Sequence, residues 1–245
     1  MAKIGVYEKY YLNSEWQKKV ISSNNFTYRP IVKVIDGLLN EDKTILDIGC
    51  GVGTLDFYMA PRCRYITGLD LSEKAISNAL KSKNLLGFEN IDFYCQNILD
   101  FRTNERFDFI LCSEVLEHIK SDSYFFKKVK NFLKHDGKVL LTTPLDSAPL
   151  YKLGLTKMFD KRVGHLRRYS FKSLKKVISK SGFEIENVVY GEGIFRNTLF
   201  VFSSFGPIIR VGNKFQLISH FLTCVDNIFI KLLGPSNIYL TVTKQ

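Results

Sequence analysis

Between residues 44 and 143, short apolar runs alternate with longer stretches in which hydrophobic residues recur at helical spacing. The runs at 44–48, 64–69, 91–95, 107–112 and 137–143 are too short for helices and nearly continuous, as in strands buried on both faces. Between them, 53–60, 72–86 and 121–134 have the period of amphipathic helices. Such alternation predicts a parallel sheet with right-handed crossovers. Ser72 and Glu73 are placed to cap and charge the start of the helix at 72–86, and Gly87 to stop it. Asp136-Gly137 reads as a turn into the fifth strand. Further on, 170–181 predicts a basic helix capped by Ser170 and ended by Gly182. A sixth strand follows at 183–190, and the alternation over 238–243 predicts a last one. Ahead of the core, 7–35 predicts helix with polar breaks, its start crowded by Tyr7, Tyr10, Tyr11 and Trp16.

The stretch 191–236 breaks the alternation. It is far longer than an ordinary connection and rich in Phe, Ile and Leu, with Phe215, Ile218, Phe221, Leu222, Val225, Phe229 and Leu232 near helical spacing. Two readings are open: a helical pair that completes the core, or an apolar lid or membrane-facing element. The length of 245 residues and 45% hydrophobic content suit one α/β domain with additions. Its parts are an N-terminal helical cap at 1–40, a core at 43–143, a basic segment at 144–182 and the apolar helical insertion at 191–236.

Charge changes this picture little. A net charge of +11 favours an acidic partner such as a phospholipid surface or nucleic acid, and equally fits a lysine-rich solvated surface. The five cysteines (50, 63, 95, 112 and 224) are odd in number and form no CxxC, as expected of a reduced, cytoplasmic chain. The start of the chain has no apolar signal segment, and no uninterrupted 18-residue apolar run occurs, so no transmembrane helix is expected.

The candidate chemistry begins at residues 45–53, Ile-Leu-Asp-Ile-Gly-Cys-Gly-Val-Gly. A buried strand there runs into a turn with glycines at 49, 51 and 53, where the backbone must turn sharply and lie close to a ligand. Asp70 follows 17 residues after the last glycine, at the end of the next strand, where a carboxylate accepts hydrogen bonds from a ribose diol. Asp47 precedes the turn in a place suited to an amino group. With Phe93-Tyr-Cys-Gln-Asn-Ile and Phe107-Asp-Phe-Ile-Leu-Cys-Ser-Glu-Val-Leu-Glu-His, these residues resemble the class I S-adenosylmethionine-dependent methyltransferases, closely over 43–143 and loosely over 163–190. The resemblance implies a doubly wound, Rossmann-like sheet of seven strands, the last antiparallel, with the helical insertion before it. It also implies that S-adenosylmethionine is bound and S-adenosylhomocysteine released. Asp47, Gly49, Cys50, Gly51 and Gly53 would line the methionine part, Asp70 would hold the ribose and Leu71 lie beneath the adenine. Asn97 and Ile98 would flank the adenine, although the family more often has an acid where Asn97 stands. Cys112 and Ser113 would lie beside the sulfonium. Position alone nominates Arg29 for the methionine carboxylate and Tyr11 for a covering lid.

Glu114, Glu117 and His118 stand at i, i+3 and i+4, and a helix would put them on one face. With His165, they make a candidate site for a divalent cation. The ubiquinone-biosynthesis O-methyltransferases have a similar Glu-x-x-Glu-His. The small-RNA 3′-terminal 2′-O-methyltransferases resemble this chain in that motif and a distant His, and bind magnesium or manganese with all four. In either group a metal would lower the pKa of the attacked hydroxyl. Without a metal, His118 or His165 would be the general base, and Glu117 a catalytic or bracing carboxylate. Leu-Glu-His at this place is also common in class I enzymes that use no metal.

From 152 to 180 there are ten Lys or Arg and one acid, Asp160. This run suits a phosphate-bearing ligand or a solvated helix face. The apolar-basic mixture at 151–159 and the apolar insertion favour a hydroxylated small or lipid-linked acceptor, with peripheral contact to an anionic membrane at its inner face. The expected activity is O-methylation. The alternatives are an RNA 2′-O-methyltransferase and a non-catalytic cofactor-binding module; nucleic acid is the less expected partner.

Overall fold

The computed structural model describes residues 4–12 and 14–245, without the side chains of Ile4 and Tyr7; the first residues of the expected cap and the Tyr7 side chain lie outside this description. Seven strands form one sheet: β1 (Thr44–Ile48), β2 (Tyr65–Asp70), β3 (Ile91–Cys95), β4 (Phe107–Ser113), β5 (Leu133–Pro144), β6 (Phe183–Gly191) and β7 (Asn237–Lys244). Their order is β3-β2-β1-β4-β5-β7-β6, with β7 antiparallel to both β5 and β6 and the first five parallel. This is the expected doubly wound, Rossmann-like sheet.

Because side chains alternate along a strand, β1 feeds two core layers. Leu46 and Ile48 join Phe125, Val129, Leu174 and Ile178 on one face. Ile45 joins Ile35, Phe57, Ile76 and Ala79 on the other. The helices that supply those residues are α2 (Arg29–Asp36), α3 (Thr54–Met59), α4 (Glu73–Leu86), α5 (Asp122–Phe132) and α8 (Phe171–Lys180). Capping follows the sequence: Ser72 Oγ accepts from Ala75 N at 3.1 Å, Ser170 Oγ accepts from Ser173 N at 3.0 Å, and Gly87 ends α4 at φ 72°.

Two boundaries differ from expectation. The helix expected over 7–35 is two short helices, α1 (Ile4–Tyr11) and α2, joined by irregular chain. Ser14 and Asn25 bind nearby backbone, which competes with helix, and Pro30 starts α2 afresh. The fifth strand begins at Leu133, not 137, because Leu133 already pairs with Phe107. The expected Asp136-Gly137 turn is a register shift within β5.

Two short helices, α6 (Pro149–Lys152) and α7 (Lys157–Val163), occupy the basic segment. The insertion folds as α9 (Ile194–Val201), α10 (Gly206–Lys214) and α11 (Gln216–Leu233) ahead of β7, as expected. No transmembrane helix is expected from the sequence; by length and composition alone, α11 is apolar enough to cross a membrane, with a mean hydropathy of 1.2. It is also inverted. Its buried positions include Ser219 and Asp226, while Leu217, Phe221, Ile228 and Leu232 are 86, 64, 57 and 71% exposed. Inside, Arg196 pairs with Asp226 at 3.4 Å and donates to Phe26 O and Thr223 Oγ1. Asp226 also accepts from Gly193 N and Arg196 N, and Ser219 donates to Asn24 O.

Candidate active site

A cavity of about 1120 Å³ opens at the carboxyl ends of β1, β2 and β4 and extends to β7. That is at the upper end of the ~300–1,000 Å³ typical of ligand pockets. Gly49, Gly51 and Gly53 all have left-handed φ (80°, 57° and 81°). A Cβ on Gly49 would stand 2.4 Å from Val115, and one on Gly51 would stand 2.7 Å from the Tyr11 hydroxyl. The loop is tied to β2: Gly49 N and Cys50 N donate to Leu69 O at 2.7 and 3.0 Å. Asp70 accepts from Gly51 N and Ser72 N, both at 2.9 Å, one on each carboxylate oxygen. Each oxygen keeps a lone pair for a ribose hydroxyl. The residues present therefore fit a bound nucleoside cofactor.

Of the residues assigned to that cofactor, Gly49, Asp70, Leu71, Asn97, Ile98, Ser113 and Tyr11 line the cavity. The Tyr11 hydroxyl lies close against Gly51 of the glycine loop. The Asn97 side-chain oxygen accepts from Leu99 N at 3.0 Å, closing a local turn. Gly51 and Gly53 shape the loop from beneath. Cys50 and Cys112 are buried, and Ser113 is the end of β4 that reaches the cavity. Asp47 is buried beside Asp56, and the two carboxyls interact directly. Burial pushes both carboxyls up, Asp56 to about 7, so the pair retains a proton near neutrality. Arg29 does not reach the main cavity. It lines a second one of about 640 Å³ and lies 3.4 Å from the His220 ring, because α2 carries it toward α11.

After β4 the chain does not continue as an α-helix. Glu114 takes φ 55° and only Leu116–His118 form a single 3-10 turn. The expected common face of Glu114, Glu117 and His118 is therefore absent. Glu114 turns toward Thr142 and Asn237, accepting from each at 2.9 Å. Glu117, His118 and His165 do converge, with one ligand atom from each within 4.8 Å of the others. Glu117 is wholly buried. Its Oε2 accepts from Thr143 Oγ1 at 3.1 Å, while Oε1 has no hydrogen bond and lies 3.7 Å from His165 Nε2. Burial, then the Glu114 charge, push its carboxyl well up.

Asp160 accepts from His165 Nδ1 at 2.9 Å, from Arg168 Nη2 at 2.7 Å and from Thr156 Oγ1 at 2.8 Å. Burial works to raise Asp160, but these hydrogen bonds prevail and hold it at about 2. An ionised Asp160 fixes the proton on His165 Nδ1 and leaves Nε2 as an acceptor. His118 lies edge-on to His165, ring centroids 4.9 Å apart, and shares a hydrogen bond with Gly164 O at 3.1 Å. Burial and then its imidazole neighbour lower His118 to about 4, so it is neutral at physiological pH. The sequence contained a signal for Asp160 as the one acid in a basic run, but its partner could not be read from it.

A further wall went unread. Glu192, Asn197, Ser236, Asn237 and Tyr239 line the same cavity. Tyr239 Oη donates to Glu192 Oε1 at 2.8 Å. Burial, then the Glu114 charge, raise Glu192 to about 7. No motif marks these residues: three adjoin the insertion's two ends, and β7 carries the others.

The sequence pattern of the family described as a methyltransferase domain matches residues 39–189. The ubiquinone biosynthesis O-methyltransferase of Glaesserella parasuis serovar 5 (strain SH0165) is 32% identical over 161 residues, 60% of this chain and 67% of that one. A probable (S)-tetrahydroprotoberberine N-methyltransferase 2 of Papaver bracteatum is 32% identical over 101 residues, 40% of this chain and only 28% of its own length. Among solved structures, the N-methyltransferase NodS of Bradyrhizobium japonicum WM9 with S-adenosyl-L-homocysteine aligns at a TM-score of 0.62 and 16% identity, covering 100% of this chain and 99% of that one. The [4+2]-cyclase SpnF aligns at 0.66 and 16% identity, covering 99 and 94%. At such identities the structural likeness establishes the fold, and the presence of a cyclase shows that the fold does not dictate the reaction.

Proposed function

The chain belongs to the methyltransferase-domain family, the class I S-adenosylmethionine-dependent methyltransferases, and we propose that it methylates a hydroxyl oxygen of a small acceptor with an apolar or lipid-linked part. The observation that carries this reading is the Asp160–His165 pair beside the cavity that the glycine loop and Asp70 open. S-adenosylmethionine, when bound, supplies the methyl group and leaves as S-adenosylhomocysteine. Asp70 and the glycine loop hold the nucleoside, with Leu71, Asn97 and Ile98 beside the base and Tyr11 covering the loop. His165 Nε2 accepts the hydroxyl proton, and Asp160 stabilises the imidazolium that results. His118 and Glu117 orient His165 and keep its surroundings dry. Methyl transfer depends chiefly on alignment and exclusion of water, so the base supplies part of the acceleration.

The test measures transfer of labelled methyl from S-adenosylmethionine into lipid, small-molecule and RNA fractions of host extract. His165→Ala is expected to slow turnover by ~10²-fold or more with cofactor affinity retained. Label confined to RNA, or unchanged turnover in the variant, would sink this reading.

A metal-assisted form has one specific observation in its favour, the unpartnered Glu117 Oε1 beside two imidazoles. One carboxylate and two imidazoles suit a manganese-type cation, or magnesium with added oxygen ligands. Glu117, His118 and His165 would hold it and Glu114 would not. It would lower the pKa of the acceptor hydroxyl. Full turnover in excess EDTA would leave the metal-free form.

For an apolar acceptor, the relevant surface is α11. Its exposed stripe is apolar, and the exposed charges of α10 and α11, Arg210, Lys214 and Lys231, are all cationic. This supports peripheral contact with an anionic membrane from the cytoplasmic side. The apolar stripe itself disfavours RNA, whose surface calls for polar and basic contacts. Vesicles rich in phosphatidylglycerol should sediment the protein at low salt, and Phe221→Ser with Ile228→Ser should abolish that.

A further inference from the structure

Among the described residues, only Glu114 and Glu192 combine a side chain with a left-handed backbone, at φ 55° and 57°. Such strain costs on the order of 1–3 kcal/mol per residue and is retained where the surroundings fix it, often at functional sites. Both residues line the same cavity. Both are held by one face of β7, since residues two apart on a strand point the same way. Asn237 Nδ2 donates to Glu114 Oε1 at 2.9 Å and Tyr239 Oη donates to Glu192 Oε1 at 2.8 Å. Beside them Asn197 Oδ1 and Ser236 Oγ are buried with no hydrogen-bond partner. This wall thus presents two carboxylates, an amide oxygen and a hydroxyl. The nearby cation Arg196 is already committed to Asp226, Phe26 O and Thr223.

Buried oxygens without donors are costly unless a ligand supplies them. Two carboxyls in one enclosed space also resist ionising together, and a neutral ligand leaves that cost in place. We infer that the Glu114–Glu192–Asn197 wall binds a protonated amine, and that the methyl acceptor carries one. An ammonium brings three N–H donors and one positive charge, which matches two carboxylates and an amide oxygen. An amine held there has no lone pair to attack with, so it anchors the acceptor while the reacting hydroxyl is presented to His165. The inference rests on the methyl-transfer reading for what the anchored molecule does, but not for whether the amine binds.

The test is calorimetry on the full chain, with and without saturating S-adenosylhomocysteine. The probes are 2-(4-hydroxyphenyl)ethylamine and 2-(4-hydroxyphenyl)ethanol, which differ only in ammonium against hydroxyl. The amine is expected to bind roughly 10- to 100-fold tighter, the range of a charged hydrogen bond. Glu192→Gln should remove that preference and Asn197→Leu reduce it, with affinity for S-adenosylhomocysteine retained in both as evidence of folding. Equal binding of the two probes, binding of neither, or a preference that survives Glu192→Gln overturns the inference. Failure of S-adenosylhomocysteine to bind overturns the methyl-transfer reading instead, and the amine preference is then read without it.

Discussion

Helices α8 and α11 obey opposite rules. In α8, Leu174 and Ile178 are buried, while Lys172, Lys175, Lys176 and Lys180 are exposed. In α11, Ser219 and Asp226 are buried with Leu222, while Leu217, Phe221, Ile228 and Leu232 face outward. The first helix is held to the sheet by apolar burial, and its lysines are a solvated face. The second is held through a buried ion pair and backbone hydrogen bonds, and its apolar face is left exposed. The same division runs through the cavity. Its cofactor end is made by the ends of sheet strands, and its oxygen-rich wall by β7 and the junctions of the insertion. With a buried ion pair at its centre and much of its apolar surface outside, the insertion adds little core of its own: the cluster it shares with the cap has three buried members, Phe26, Leu199 and Leu222.

The largest expected effect comes from breaking the buried pair. Asp226→Ala strands Arg196 and should cost about 3–5 kcal/mol in denaturant unfolding. Leu174→Ala on α8 should cost about 2–5 kcal/mol through its cavity. The contrast sharpens with Arg196→Met combined with Asp226→Leu, expected to recover part of the Asp226→Ala loss by removing both buried charges, but not all of it, because Gly193 N, Arg196 N and Phe26 O lose their partners. A loss as large as that of Asp226→Ala would show that the pair does more than fill the interior.

Next, Asp70→Ala should weaken S-adenosylhomocysteine binding by roughly 10- to 100-fold, the worth of hydrogen bonds to a charged group. Calorimetry should show the Glu192→Gln variant unaffected. Loss of cofactor affinity in both variants would erase the division between the two ends of the cavity.

A smaller effect is set by pH. Glu192 titrates at about 7 in the folded chain, above its ordinary 4.5, so the native state holds a proton that the unfolded state has lost. Its stabilising contribution is complete below pH 4.5 and falls away as pH rises through 7. Glu192→Gln should flatten that decline in unfolding midpoints measured from pH 5 to 8. An identical pH profile in the two proteins would contradict the upward shift of Glu192. The smallest expected change in stability is that of Leu217→Ser with Phe221→Ser, within about 0.5 kcal/mol, because both side chains are solvent-exposed. A marked destabilisation would mean that the outer face of α11 is already covered.

The alternation of apolar runs and amphipathic stretches determined the strand-helix succession, because strands buried on two faces and helices buried on one leave distinct periods. Gly49, Gly51, Gly53 and Asp70 were legible for a related reason: few residues other than glycine tolerate a left-handed turn, and the acid follows at the end of the next strand. Ser72, Ser170 and Gly87 marked helix ends because their work is local. Tertiary structure decided what depends on partners distant in the chain. It separated Glu114 from Glu117 and His118 by turning the backbone left-handed where a helix was expected. It carried Arg29 away from the cofactor, paired Asp160 with His165, and brought Glu192 into the cavity beside Glu114. It also decided which face of α11 is inside. Periodicity reports that a helix has an apolar stripe but not what the stripe meets, and Arg196, far along the chain from Asp226, made the polar face the buried one.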